Sequence, residues 1–502
     1  MLPPVPRRLA RWSVPAALLV TAALHLAFLS TDLGSDEGGF AMVGRHWLEP
    51  GSYLYGPEWV DRPPLLIAIF WVADHLGPYG VRIIATAVAV AVVAVLSRAA
   101  FLAAADNRPT SAARWTAWIA TALICSSLFD AQQLNGELVA ALFVSVSVVG
   151  VLAAVRHPRS AIGWMVGAGI AAAGAILVKQ NFLDGIAFAG IFLALGAFRG
   201  VGRRRALRLA AAFAAGCLLV VGLALWWAHL SGGIDEMVYA MYGFRLDAAR
   251  VIADYSHAAP DRRAVDLAGF ALASGLFTLL AVVVASQAQR FRQLQPLPWA
   301  LLATFVVELV GVVGGGNYWS HYLIALVPMV ALATGLSARR DQRLWPSVRA
   351  AGLLALAATL VVTPLSALRA QEGRTTPAQV ADWLRHSSHP DDTIAVPFTH
   401  ANVIGMARLT PTYPYSWSLP IRTLDPDLDL FVHTLRSAQA PTWVVRWDPP
   451  HIWDLDPRNR VTRTLRHRYR VVATVCGHEI WLRRGVSRVP AAATGGNCDV
   501  VV

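Results

Sequence analysis

Long apolar stretches separated by short, arginine-bearing polar breaks set the pattern of this chain. The apolar runs fall near residues 12–30, 79–103, 115–130, 137–154, 162–178, 182–198, 209–229, 264–287, 298–315, 320–338 and 349–369. Runs of this length and character predict membrane-spanning helices, since about 20 apolar residues cross about 30 Å of hydrocarbon. The stretch 64–73 is apolar but too short to cross, and reads as an interfacial or re-entrant helix. The chain is thus expected to be a polytopic α-helical membrane protein of about eleven spans.

Beyond about residue 370 the pattern changes to an ordinary soluble one. Thr376 to His386 reads as a helix, with Thr376 as its cap and Pro377 in its first turn. Thr393 to Pro397, Thr442 to Arg446, Tyr469 to Val475 and His478 to Arg483 read as strands. The expected organisation is therefore a membrane domain over 1–370, with a first outer loop at 31–63, and a small α/β domain over 371–502.

Charge orients this arrangement. Of 502 residues 15% are charged, well below the quarter usual in soluble proteins, and the formal net charge is +12. The excess arginine is not a nucleic-acid footprint. It sits mostly in short breaks: Arg108 and Arg114, Arg156 and Arg159, Arg199 to Arg208, Arg290 and Arg292, and Arg339 to Arg343. An eleven-span count puts all of these breaks on the cytoplasmic side, as the positive-inside rule requires. Arg7, Arg8 and Arg11 then mark a signal anchor with a cytoplasmic N-terminus, and the C-terminal domain lies outside a plasma membrane. Counting 64–73 as a span would invert every break. Cys125 and Cys217 lie in apolar runs; Cys476 and Cys498 lie in the tail, where an oxidising compartment would permit either a disulfide or free thiols.

The polar residues that could carry chemistry cluster in the segments expected outside. Ser35-Asp36-Glu37-Gly38-Gly39-Phe40 places two carboxylates directly after the first run. They read either as solvated loop acids or as a general base or metal ligand at the membrane surface, where partial desolvation tunes a carboxylate. Tyr53-Leu54-Tyr55 and Asp61-Arg62-Pro63-Pro64-Leu65 follow, the prolines fixing the chain's re-entry or merely making a turn.

In this order, with Gly77 to Arg82 ahead of the next run, the chain resembles the C-type membrane glycosyltransferases of the protein O-mannosyltransferase and aminoarabinose-transferase group. These usually carry an Asp-Glu pair, then Lys-Pro-Pro-Leu, then a Gly and an Arg. Arg62 stands here in place of that Lys. The resemblance covers the first hundred residues best and extends more loosely through the helix count and the soluble tail. It implies an enzyme that moves a sugar from a polyprenyl-phosphate carrier to an acceptor hydroxyl outside the membrane, usually with inversion. Asp36 matches the family's catalytic acid, with Glu37 beside it.

Several residues then become candidates for the carrier phosphate. Lys179, the only lysine, stands in Leu177-Val178-Lys179-Gln180-Asn181, where the family often has Lys-Gly; the alternative is a lysine snorkelling from a helix end. Arg62, Arg245, His321 and Tyr322 are the other phosphate candidates, against the simpler readings of a surface Arg and a structural His. Asn135-Gly136-Glu137 opens a span, so Glu137 is either a carboxylate suited to a helix N-terminus or a second acid for acceptor or metal, with Asn135 beside it. Glu308 lies inside a span and is a functional candidate or a protonated structural group. Trp417, Trp443, Trp447 and Trp453 suit either sugar stacking or the tail's core.

No cofactor is named by the sequence, and a divalent cation is compatible with its acids. No nucleotide-binding fingerprint is present. The partners implied are a polyprenyl-phosphate sugar, the bilayer, and a glycan, glycolipid or protein acceptor of the cell envelope. A transporter or flippase of lipid-linked saccharide, and a polysaccharide ligase or polymerase, stay open as alternatives. A transporter would be expected to show inverted repeats and polar residues near the midplane, whereas this chain places its polar residues toward one face.

Overall fold

The computed structural model describes residues 12–49, 53–104, 109–231, 233–254, 258–338, 344–448 and 455–501. Arg7, Arg8, Arg11, Arg108, Arg339, Arg340, Arg343 and Trp453 lie outside them. The chain forms two compact units, one drawn from Met1–Leu29, Arg82–Trp227 and His257–Ala367, the other from Ser30–Val81, Ala228–Ser256 and Leu368–Val502.

The first unit is helical and apolar. Among the described residues, Gly80–Ala103, Gly136–Arg156, Pro158–Val178, Arg203–Leu230, Pro296–Gly314 and the segment Trp345–Ser387 are long and apolar enough to cross a membrane. Their outer faces are not packed in protein: Leu218 is 70% exposed and Trp226 60% exposed on Arg203–Leu230. Such a surface is stable only against lipid, which makes this a multi-pass membrane protein.

The run expected as one span at 264–287 is instead two helices, Ala259–Ala273 and Leu276–Arg292, bent by 60°. Gly275 between them adopts φ +77°, a left-handed conformation that stops a helix and suits glycine. The runs near 12–30, 115–130, 182–198 and 320–338 are helical over Ser13–Leu26, Pro109–Ile124, Asp184–Phe198 and Ser320–Leu336. Each is short of 18 residues, so among the described residues length and composition pick out six spans, or seven with the bent pair, and do not confirm eleven. The stretch read as re-entrant is the 12-residue helix Pro64–His75, about 18 Å long.

The second unit carries the mixed sheet. Its six strands are β1 (Thr393–Ala395), β2 (Thr410–Pro411), β3 (Trp443–Arg446), β4 (Tyr469–Val475), β5 (His478–Arg483) and β6 (Val500–Val501), in the order β2-β1-β3-β5-β4-β6. β1 pairs in parallel with β2 and β3, and the remaining pairs are antiparallel. Cys476 at φ +52° and Gly477 at φ +81° make the two-residue turn between β4 and β5. Cys476 is joined to Cys498, which ties that turn to the chain's last strand; Cys125 and Cys217 are free. The core gathers Phe398, Tyr413, Ile421, Phe431, Val444 and Tyr469. The helix expected from Thr376 runs Thr376–Ser387, capped one residue earlier by Thr375. Thr375 gives its hydroxyl and its backbone N–H to Asp32 instead of to its own helix, at 3.1 and 2.7 Å.

In this unit the helix Ser35–His46 crosses the short helix Ala401–Ala407 with no room for side chains between them. A Cβ on Gly38 would collide with Cα and Cβ of Asn402, one on Gly405 with the carbonyl of Gly38, and one on Gly39 with the Trp417 ring. The glycine pair of the Asp-Glu-Gly-Gly motif is thus a helix-crossing device. Gly38→Val is predicted to cost at least about 1–3 kcal/mol through overpacking. A lowered unfolding midpoint in detergent checks this; an unchanged midpoint contradicts the crossing.

Candidate active site

The second unit holds the acidic pair, and its two members do different things. Gly34 is the N-cap of Ser35–His46, and the Glu37 carboxylate accepts a hydrogen bond from its backbone N–H at 3.0 Å. Glu37 is 1% exposed and closes its own helix end, the carboxylate half of a capping box. Asp36 is half-buried, and its Oδ1 accepts a hydrogen bond from Nε1 of Trp417 at 3.0 Å. Asn402 donates to the carbonyl of Leu33 at 3.0 Å, fixing the turn that leads into the motif.

Beside this motif lies the Phe40 ring. Arg62 stands over it at 5.4 Å, and the rings of Phe70 and Trp417 flank it at 5.5 and 5.6 Å. Arg62 pairs with Asp61 at 2.8 Å, and Arg245 pairs with the same carboxylate. Burial by itself would raise the Asp61 carboxyl; Arg245 first and Arg62 second hold it below the usual carboxylate range. Two guanidiniums thus converge on one carboxylate. Sequence reading put Arg62 and Arg245 on phosphate separately, and the structure brings them together through Asp61.

The first unit holds the other candidates. Asn135 caps Gly136–Arg156, accepting from the Leu138 N–H at 2.8 Å, while its side-chain amide nitrogen is buried without a partner. Glu137, 3% exposed, is paired with Lys179 and lies 3.7 Å from Nε2 of His321. Lys179 also stands 4.5 Å over the Tyr322 ring, and the rings of His321 and Tyr322 meet edge to face at 5.2 Å. Asn135, Glu137, Lys179, His321 and Tyr322 therefore form one cluster. Glu308 is 1% exposed with Asp184, also 1% exposed, as its neighbouring carboxyl.

Sequence reading missed Asp184, the stacking of Arg263 on Trp319 at 4.4 Å, and the contact from Trp417 to Asp36. Asp184 was legible as an acid inside an apolar run. The Trp417 contact joins residues 381 positions apart and left no local signal. Of the other tail tryptophans, Trp443 is fully buried, and the partly buried Trp447 stacks on His478 at 3.8 Å with the His400 ring 4.1 Å away. No group of three or more His, Cys, Asp or Glu among the described residues is spaced to hold a metal ion.

Breaking a buried pair costs more than removing both partners, because the survivor stays charged in apolar surroundings. Glu137→Ala is predicted to destabilise the protein by about 3 kcal/mol, and Glu137→Ala with Lys179→Met by clearly less. Unfolding midpoints of the two singles and the double check this; strict additivity would contradict the pairing.

No family profile matches the chain, and no curated protein sequence does. Solved structures do. ArnT from Cupriavidus metallidurans in the apo state aligns with a TM-score of 0.64 at 16% identity, over 93% of this chain and 96% of that one. The same protein bound to undecaprenyl phosphate aligns at 0.63 and 16%, over 95% and 98%. The Archaeoglobus fulgidus oligosaccharyltransferase tethered to an acceptor peptide aligns at 0.52 and 13%, over 97% and 76%. Both are C-type glycosyltransferases, so the chain is similar in fold, over nearly its whole length, to the group that its Asp-Glu and Pro-Pro-Leu motifs resemble.

Proposed function

We propose that this protein is a membrane glycosyltransferase that moves a sugar from a polyprenyl-phosphate carrier to an acceptor hydroxyl on the extracytoplasmic face. The observation that carries the reading is the division of labour in the acidic pair. The buried Glu37 closes its helix cap, while the half-buried Asp36 accepts an indole hydrogen bond. The fold it shares with ArnT, solved with undecaprenyl phosphate, supports a carrier of that chemistry.

In the proposed reaction Asp36 takes the proton of the acceptor hydroxyl as its oxygen attacks the anomeric carbon. The new C–O bond forms as the bond from that carbon to the phosphate oxygen breaks, and attack opposite the leaving group inverts the anomeric centre. The carrier leaves as a phosphate monoester, whose growing charge is stabilised by cations rather than by an acid. Each unit carries its own candidates for that role: Lys179 with His321 and Tyr322 around it in the first, and Arg62 and Arg245 around Asp61 in the second. Glu137 is assigned to hold Lys179, with Asn135, toward the acceptor side of the chemistry.

The membrane arrangement goes with this. Eleven spans with a cytoplasmic N-terminus leave the arginine-rich breaks inside. Of the segments that this count puts outside, 31–63, most of 230–263 and the tail belong to one compact unit, and 130–136, 179–181 and 316–319 belong to the other.

The test is donor consumption in nanodiscs across a panel of polyprenyl-phosphate sugars, with lipid and peptide acceptors. Wild type is expected to turn over one donor, and Asp36→Asn to lose at least about a hundredfold while remaining folded. Equal turnover by the variant would remove Asp36 from the chemistry, and no turnover of any donor would contradict the reading.

A further inference from the structure

Trp417 is the one residue of the C-terminal domain whose polar atom reaches the Asp36 carboxylate among the described contacts. Its surroundings fix it there. The ring edge lies against the Gly39 position, where any Cβ would strike it, and its face tilts against Phe40 at 5.6 Å. The segment just before it is anchored too, since Tyr413 donates to Asp425 at 2.8 Å and Tyr415 meets the Trp59 ring at 5.9 Å. The helix that carries Asp36 is held from the same side by the Gly38–Gly405 crossing and by Asn402 on Leu33. The donor and the acceptor of this hydrogen bond are thus each positioned by independent packing.

An indole N–H donates and never accepts, so against Asp36 it engages a lone pair of one carboxylate oxygen, Oδ1. With Oδ1 of Asp36 engaged by the indole, Oδ2 is left to take a proton, and the carboxylate plane is set.

We propose that Trp417 is the positioning residue for Asp36, and that the C-terminal domain is part of the catalytic apparatus through this one hydrogen bond. The inference rests on the glycosyl-transfer reading for its kinetic consequence, and on the contact alone for its structural one. It gives the domain a role that a lid or a stabilising appendage would not have: removing the indole N–H slows the reaction.

Two measurements on the full-length protein test it. The first compares Trp417→Phe with wild type on the donor that wild type consumes. Loss of orientation is expected to lower kcat by about 10- to 100-fold with the donor KM changed by less than about twofold. An unchanged kcat, or a loss confined to KM, overturns the proposal. The second needs no turnover. In protein with ¹⁵N-labelled indoles, the Trp417 resonance is assigned by its absence from Trp417→Phe, and Asp36→Ala is expected to shift it upfield. A resonance that does not move overturns the proposal even where no donor is consumed. A shifted resonance in a protein that consumes no donor keeps the contact and rejects the glycosyl-transfer reading instead.

Discussion

The approach of two helix backbones without side chains between them is the constraint on which the acidic centre depends. Gly38 and Gly39 on one helix and Gly405 on the other allow contact at distances no other residue tolerates. That contact brings the indole of Trp417 to Asp36 and packs it on Phe40. Phe40 in turn is the ring beneath Arg62, which shares Asp61 with Arg245. A short glycine motif thereby organises a carboxylate, an aromatic surface and two cations within one unit.

Charge placement in the other unit follows a complementary rule. Apolar helices punish isolated charge, so Lys179 is found against Glu137, with His321 near the same carboxylate and the Tyr322 ring below the ammonium. These contacts hold the ammonium in place. Preorganised cations of this kind stabilise developing negative charge without having to rearrange.

Much of this was legible in the chain. Apolar runs located most of the described helices of the membrane unit, with the run 264–287 dividing into two. β-branched and aromatic runs located β3, β4 and β5 to within a residue. The Asp-Glu and Pro-Pro-Leu order named the fold group before the structure was in hand. What escaped were effects with no local signature. Gly275 was one glycine within an apolar run, and only its left-handed backbone bends the helix pair. Glu37 read as a second candidate acid beside Asp36, because a capping carboxylate has no signature of its own until the N-cap is placed. The ring of Trp417 was one of several tail tryptophans, and its position is decided by a contact across most of the chain's length.

Direct binding tests whether this protein acts on a polyprenyl-phosphate carrier, without knowledge of sugar or acceptor. Undecaprenyl phosphate would be titrated into wild type and Lys179→Met in nanodiscs, with phosphatidylcholine as competitor. The account predicts saturable binding that phosphatidylcholine does not displace, weakened at least about tenfold in the variant. Absence of saturable binding, or equal affinity in the two proteins, would contradict it.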